Sequence, residues 1–169
     1  MTETILPVTP VLSAYIAGAR DNPHPEHFRE LARRHADVLG NGFPYLVACL
    51  DGAVVGYAYA NHFRTRPAYR FCVENSIYLD PQAIGRGIGK RLMHALIARC
   101  EAMGLRQMIA VIGDSGNTAS IGLHAACGFR FAGTLRASGW KFDQWLDTVM
   151  MQRDLGEGDR SAGPSALRP

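Results

Sequence analysis

The sequence predicts a single α/β domain whose mixed sheet is mostly antiparallel and contains one parallel strand pair. Three observations carry this. A glycine-rich turn, Gly85-Arg86-Gly87-Ile88-Gly89-Lys90, separates the apolar run Ser76-Ile77-Tyr78-Leu79 from a segment of helical periodicity. A second apolar run, Gln107 to Ile112, follows that segment, and strands joined through a helix lie parallel. Asp51-Gly52 stands between two further apolar runs, the strongest short signal for an antiparallel hairpin.

The elements follow in order. Thr9-Pro10 resembles an N-cap followed by proline at the first helical position, so a helix is expected over about residues 10–19. Pro25 starts a second helix with a partial apolar face of Phe28, Leu31, Ala32 and Val38, which stops at Gly40-Asn41-Gly42. Tyr45 to Leu50 and Val54 to Ala60 are the hairpin strands, and Phe71 to Leu79 is a third strand. From Gly87 a helix runs to Gly104, with Ile88, Leu92, Ala95, Leu96 and Met103 at core-facing spacing. Gln107 to Ile112 is expected beside the third strand. Asn117 can cap a helix reaching about Cys127. Phe129 to Leu135 and Phe142 to Met151 close the sheet as antiparallel strands. Residues 156–169 are rich in Gly, Ser, Ala and Pro without apolar periodicity, so the domain is expected over 1–155 with a disordered tail beyond.

Bulk properties narrow the class. A chain of 169 residues, 47% hydrophobic and 20% charged, buries a real core as a soluble domain. The net charge of +3 is too mild and scattered for a nucleic-acid partner. No run has the length of a membrane span, and Met1-Thr2-Glu3-Thr4 lacks the regions of a signal peptide. Cys49, Cys72, Cys100 and Cys127 form no CxxC pair and no metal-ligand spacing with histidine. Reduced thiols in the cytoplasm, without a metal site, are expected.

The chemistry starts at the glycines. They let the backbone turn tightly and approach a ligand, while the free N–H groups of the next helical turn point outward at the positive end of the helix dipole. Arg86, Lys90 and Arg91 add charge. Taken alone, the glycines fit a plain tight turn as well as a phosphate cradle. The G-x-G-x-G spacing departs from the dinucleotide fingerprint, and Arg91 stands where a Walker A motif needs Ser or Thr.

Context resolves the choice. Pro81-Gln82-Ala83-Ile84-Gly85-Arg86-Gly87-Ile88-Gly89-Lys90-Arg91-Leu92 resembles the acetyl-CoA signature of the GNAT superfamily of N-acetyltransferases. The span from Phe43 to Leu155 resembles its phosphinothricin acetyltransferase branch. Matching blocks include Pro44 to Ala48, Gly56 to Ala60, Arg66-Pro67-Ala68-Tyr69-Arg70, Val73 to Tyr78, Leu123-His124, Gly128-Phe129, Gly139 to Phe142 and Trp145-Leu146-Asp147. The resemblance implies the GNAT fold: a mixed sheet with a splayed parallel pair, flanked by about four helices. It implies acetyl-CoA lying in the splay, its pantetheine arm paired with the backbone of Ile77, Tyr78 and Leu79, and its pyrophosphate on the amides of residues 85–90. It also implies a homodimer.

The reaction sets further demands. Only a neutral amine attacks a thioester, and an alkylammonium with a pKa near lysine's ~10.4 must first lose a proton. Glu74 interrupts the apolar Phe71-Cys72-Val73 run and matches the branch's general-base glutamate. Without the resemblance, a solvated residue on a strand's outer face is the simpler account. His124 stands where many relatives carry a tyrosine that protonates the departing thiolate, and is assigned as general acid or second base. A surface histidine is the plain alternative. Asn117 either contacts the cofactor, caps its helix, or does both. A strand amide near Ile77 and Tyr78 is the natural stabiliser of the developing oxyanion. Arg64, Arg66, Tyr69 and Arg70 cluster between two strands, where a guanidinium fork can hold an acceptor carboxylate. Lys141, Trp140 and Trp145 fall near the acceptor side.

Two departures from the branch stand out. Ile84 occupies a position that is usually Arg or Gln; backbone donors do most of the work at such a site, so tuned affinity rather than lost binding is expected. The connection Gly18 to Pro25 is short where relatives line the acceptor pocket. The expected function is transfer of acetyl from acetyl-CoA directly to the primary amine of a small molecule, an amino acid or phosphinothricin-like toxin. A protein or peptide N-acetyltransferase would instead present an open acidic groove. A non-catalytic acyl-CoA-binding module would have no use for Glu74.

Overall fold

The computed structural model describes residues 3–7 and 25–165. The helix expected over 10–19 and most of the short connection before Pro25 lie outside them. The chain divides into two compact units: residues 1–61 with 77–96, and residues 62–76 with 97–169.

The first unit begins with strand β1 (Glu3–Pro7), followed by helix α1 (Pro25–Gly40), β2 (Tyr45–Leu50) and β3 (Ala53–His62). β1 pairs antiparallel with β2, Ile5 facing Ala48, and Pro7 ends a strand at the sheet's edge, where its missing N–H costs little. β2 and β3 form the expected hairpin. Asp51 and Gly52 both take left-handed backbone, at φ 50° and 83°, the two-residue turn whose twist suits antiparallel strands. α1 stops where Gly42 turns left-handed and Phe43 donates back to the Val38 carbonyl. The last residues of strand β4 (Cys72–Leu79) run beside β3, and the Asp80 amide donates to Val55 at 2.9 Å.

Helix α2 (Ile88–Ala102) starts in this unit. Its buried stripe is Ile88, Leu92, Met93, Leu96, Ile97 and Cys100. Met103, expected in that stripe, lies past the helix end and is half-buried.

In the second unit β4 pairs parallel with β5 (Gln107–Gly113), Cys72 opposite Gln107 through Asn75 opposite Ala110. The ladder covers these four residue pairs, although β4 continues to Leu79. Helix α3 (Thr118–Ala126) follows, then β6 (Arg130–Lys141) and β7 (Gln144–Asp154). β7 lies antiparallel to both β5 and β6, giving the order β4-β5-β7-β6. The fold is α/β, mostly antiparallel with one parallel pair, the arrangement that the resemblance implies.

The last hairpin corrects the expected strand ends. Phe142 and Asp143 form its turn, each at φ 55°, so the final strand starts at Gln144 rather than Phe142. β6 is longer than expected because it bulges twice. At one bulge Ala137 turns left-handed (φ 48°) and its amide donates to Asp147 Oδ1 at 2.9 Å.

Beyond β7, residues 156–165 make turns and hydrogen bonds within the second unit. Arg106 donates to Glu157, to the Ser161 hydroxyl at 3.1 Å and to the Ala162 carbonyl at 3.1 Å. Gly163 lies against the Phe71 ring. Composition assigns this segment no place, because it lacks apolar periodicity; backbone carbonyls and one arginine supply what side-chain patterning does not.

Candidate active site

The glycine loop lies in the first unit. Asp80 caps the 3-10 turn Pro81–Ala83 by accepting from the Gln82 amide at 2.8 Å. Gly85 and Gly87 then take φ 81° and 74°, backbone that a Cβ resists. An added Cβ on Gly85 would meet nothing within 4 Å, so glycine is required there by conformation rather than by crowding. Arg91 folds back and donates to the Arg86 carbonyl at 3.1 Å, bracing the loop. The first intrahelical bond of α2 is Arg91 N to Gly87 O, which leaves the amides of Ile88, Gly89 and Lys90 without helical acceptors. Exposed Arg86 and Lys90 flank them. This donor set fits the two phosphates of a pyrophosphate. Ile84, 58% exposed, offers no polar group to the loop.

Ile77, Tyr78 and Leu79 form the end of β4 in the same unit. Tyr78, 47% exposed, stacks on Tyr57 with ring centroids 4.8 Å apart. Tyr57 stacks in turn on Tyr45 at 5.8 Å, and Tyr45 on Tyr59 at 5.0 Å. The Tyr59 hydroxyl accepts from Arg34 at 3.2 Å. Burial, first, and the neighbouring tyrosines push the Tyr45 phenol well above its ordinary range. Tyr45 therefore stays neutral within the row of stacked rings that ends at Tyr78.

The second unit holds the titratable candidates. Along β4, Val73 and Asn75 are buried while Cys72, Glu74 and Ser76 are half-buried. Side chains alternate along a strand, so Glu74 projects from the face opposite Asn75. His124, on α3, is 2% exposed and lies on the Asn75 face: its Nε2 is 3.0 Å from Asn75 Oδ1 and its Nδ1 is 2.8 Å from the Ser120 carbonyl. Its ring also meets Phe129 edge to face at 5.0 Å. Burial lowers its pKa, and the bond to Ser120 opposes that shift. His124 is thus a core histidine, not a surface one, and the structure does not bring it onto the same strand face as Glu74. Asn117 caps α3, its side chain accepting from the Ser120 amide at 3.1 Å.

Arg64, Arg66 and Tyr69 do come together. With Thr65 they line a pocket of about 360 Å3. The short 3-10 turn Pro67–Tyr69 shapes one wall, and the Tyr69 amide donates to the Arg66 carbonyl at 2.9 Å. Lys141 is not part of that lining; it ends β6 with its ammonium over the Phe142 ring at 4.7 Å. Trp140 and Trp145 face each other across the same hairpin, both exposed. Sequence reasoning passed over Asn75 and Thr65. Asn75 had a signal: a polar residue two positions from Val73, on the strand's apolar face.

Burial raises the Cys72 thiol to about 11 and the Cys100 thiol to about 12. Neither presents a thiolate near neutral pH. Among the described residues, no group of three or more His, Cys, Asp or Glu could hold a metal ion. No described helix is long and apolar enough to cross a membrane.

The acetyltransferase (GNAT) family model matches residues 11–129, more than half of the chain. The chain belongs to the acetyltransferase (GNAT) family. Its similarity to a phosphinothricin N-acetyltransferase of Alcaligenes faecalis is 58% identity over 135 residues, covering 80% of this chain and 68% of that protein. An L-methionine sulfoximine/L-methionine sulfone acetyltransferase of Pseudomonas paraeruginosa is 44% identical over 68% of this chain and 66% of its own length. The crystal structure of a GNAT superfamily phosphinothricin acetyltransferase from Sinorhizobium meliloti in complex with acetyl-CoA superposes with a TM-score of 0.85 at 44% identity, covering 100% of this chain and 97% of that one. As a GNAT enzyme, this chain is an acetyl-CoA-dependent N-acetyltransferase of small-molecule primary amines. The amides of the glycine loop and its flanking cations fit the pyrophosphate of acetyl-CoA.

Proposed function

We propose that this enzyme acetylates the primary amine of a small, anionic, amino-acid-like acceptor such as phosphinothricin or methionine sulfoximine. The pocket lined by Arg64, Thr65, Arg66 and Tyr69 carries this reading. Two guanidinium groups, a hydroxyl and a phenol suit a carboxylate or phosphinate, and they disfavour a cationic peptide N-terminus or lysine. Phosphinothricin and methionine sulfoximine, after which the relatives are named, are of the same chemical kind.

Each remaining role falls to residues of this chain. Acetyl-CoA supplies the thioester, an acyl donor reactive enough for a neutral amine. The amides of residues 85–90, with Arg86 and Lys90, hold its pyrophosphate. Ile77, Tyr78 and Leu79 offer strand backbone to its pantetheine arm, and a backbone N–H in that stretch stabilises negative charge on the acyl oxygen. Glu74 takes the proton from the acceptor's ammonium, directly or through water. His124 moves a proton as general acid or second base. Asn117 acts by capping α3. The buried thiols take no part, so transfer is direct.

The exposed Phe131, Leu135, Trp140, Phe142 and Trp145 of β6, β7 and their turn support a homodimer, the state implied by the branch resemblance. Four free cysteines suit a reducing cytoplasm. The test of function is CoA release across a panel of amines, with Glu74→Gln as control. Turnover confined to carboxylate-bearing amines and abolished in the variant is the expected result. Equal turnover by wild type and variant on every working acceptor would remove Glu74 from its role. Sedimentation velocity tests the dimer, with Trp145→Ser expected to shift it toward monomer.

A further inference from the structure

The contact between His124 and Asn75 holds an unresolved proton account, and its solution gives Asn75 a role. A carbonyl only accepts, so the 2.8 Å contact with the Ser120 oxygen places a proton on His124 Nδ1. At Nε2 the facing atom is Asn75 Oδ1, 3.0 Å away and also an acceptor. With Nδ1–H given to the Ser120 carbonyl at 2.8 Å, and the Ser120 hydroxyl farther from Nδ1 at 3.4 Å, that arrangement is complete only for an imidazolium, which donates from both nitrogens. Meanwhile Asn75 Nδ2, in a residue 4% exposed, is buried without a partner. A half-turn of the carboxamide about Cβ–Cγ exchanges the two atoms. Nδ2 then donates to the lone pair of a neutral ring.

We propose that Asn75 is a positioning residue for His124: its carboxamide turns with the charge of the ring, accepting at Oδ1 from imidazolium Nε2–H and donating from Nδ2 to neutral Nε2. The ring keeps one orientation while the Nε2 proton arrives and departs, and the neutral form is fixed as the Nδ1–H tautomer. A carboxamide is the side chain suited to this, since a carboxylate only accepts and an alkyl group does neither.

The surroundings leave Asn75 as the group that decides. Ser120 and Phe129, which touch the ring, are uncharged. β5 carries no charged residue between Gln107 and Gly113. On β4 the carboxylate of Glu74 projects from the other face. On β7 the guanidinium of Arg153 is bound to the Cys127 carbonyl at 2.6 Å. Burial favours the neutral ring, so the turned carboxamide is the resting state.

The proposal rests on the proton-transfer role of His124 only for its kinetic consequence. The experiment is 15N-detected NMR titration of His124 in wild type, Asn75→Asp and Asn75→Leu, beside the pH profile of kcat in each. Wild type is expected as the Nδ1–H tautomer above its midpoint. Asn75→Asp keeps only an acceptor and is expected to raise the midpoint by about 1–3 pH units. Asn75→Leu removes both functions and is expected to lower it. A neutral Nε2–H tautomer in wild type overturns the proposal, and this measurement stands even where a variant does not fold. Midpoints that move together, or not at all, overturn it too, because a purely structural contact has no reason to split them. A kcat profile that stays fixed while the NMR midpoints separate leaves Asn75 as a positioning residue and removes His124 from the chemistry.

Discussion

Glutamine in place of Glu74 keeps the side chain's size and loses its capacity to take a proton. In the proposed reaction Glu74→Gln lowers kcat by about 10²–10⁴-fold, the usual worth of a positioned base, with acetyl-CoA affinity unchanged. Steady-state kinetics beside calorimetric titration of acetyl-CoA separates the two effects. Arg66→Ala is expected to raise KM about tenfold for acceptors carrying a carboxylate, a charged hydrogen bond lost at a partly solvated site. An amine lacking the carboxylate is expected to show little change, and equal losses on both would detach the pocket from the acceptor. The gathering of Arg64, Arg66 and Tyr69 was legible because like charges crowded between strands are unusual, and Glu74 stood out as a charge interrupting an apolar strand. The burial of His124 was not legible. α3 has nine residues and buries His124 while Ile121 and Leu123 stay half-exposed, against the apolar pattern of its own sequence. Too few turns were present for periodicity to locate the inner face.

At the scale of elements, β3 and β4 approach so closely that one side chain is excluded. A Cβ on Gly56 would lie 2.5 Å from Leu79 Cδ2 and 2.8 Å from the Tyr78 carbonyl oxygen. Gly56→Ala therefore has to move either the leucine or the strand that carries Tyr78. The expected cost is about 1–3 kcal/mol of stability, as for other overpacked sites. Urea denaturation measures it, and a rise in the KM for acetyl-CoA is expected because the shift falls on the backbone proposed to pair with its pantetheine arm. Gly87→Ala tests the loop differently: there the penalty is the left-handed φ of 74°, about 1–2 kcal/mol. The hairpin at Asp51-Gly52, the strand at β4 and the helix after the glycines were all legible, since each has a local chemical cause. The limits of β6 and β7 were not. Their turn, Phe142-Asp143, contains no glycine, and an aromatic residue at φ 55° is not something that turn propensities lead one to expect.

For the molecule as a whole, pH acts through two imidazoles, the buried His124 and the half-buried His35. Burial lowers the folded-state pKa of both His124 and His35 below the ordinary 6.5. Between those folded values and 6.5 the unfolded chain binds protons that the native one refuses, so stability falls as pH drops below about 6.5 and is complete above it. A denaturant midpoint lower at pH ~5.5 than at pH ~7.5 is the expected outcome; identical midpoints would mean that folding lowers the pKa of neither ring. The class of fold and the donor were legible across the whole chain, because many sequence blocks occur in one order. The proposed acceptor was less so, since that reading depends on side chains gathered by a loop rather than on any repeat in the sequence. The segment after β7 has a practical corollary for protein engineering. Arg106 gathers three acceptors between residues 157 and 162, and Gly163 covers the Phe71 ring, immediately before the strand of Glu74. Trimming the gene after Leu155 to obtain a tidier crystallisation target would strip an aromatic side chain of its cover and a guanidinium of its ligands, and the damage would surface at the start of the strand that carries Glu74.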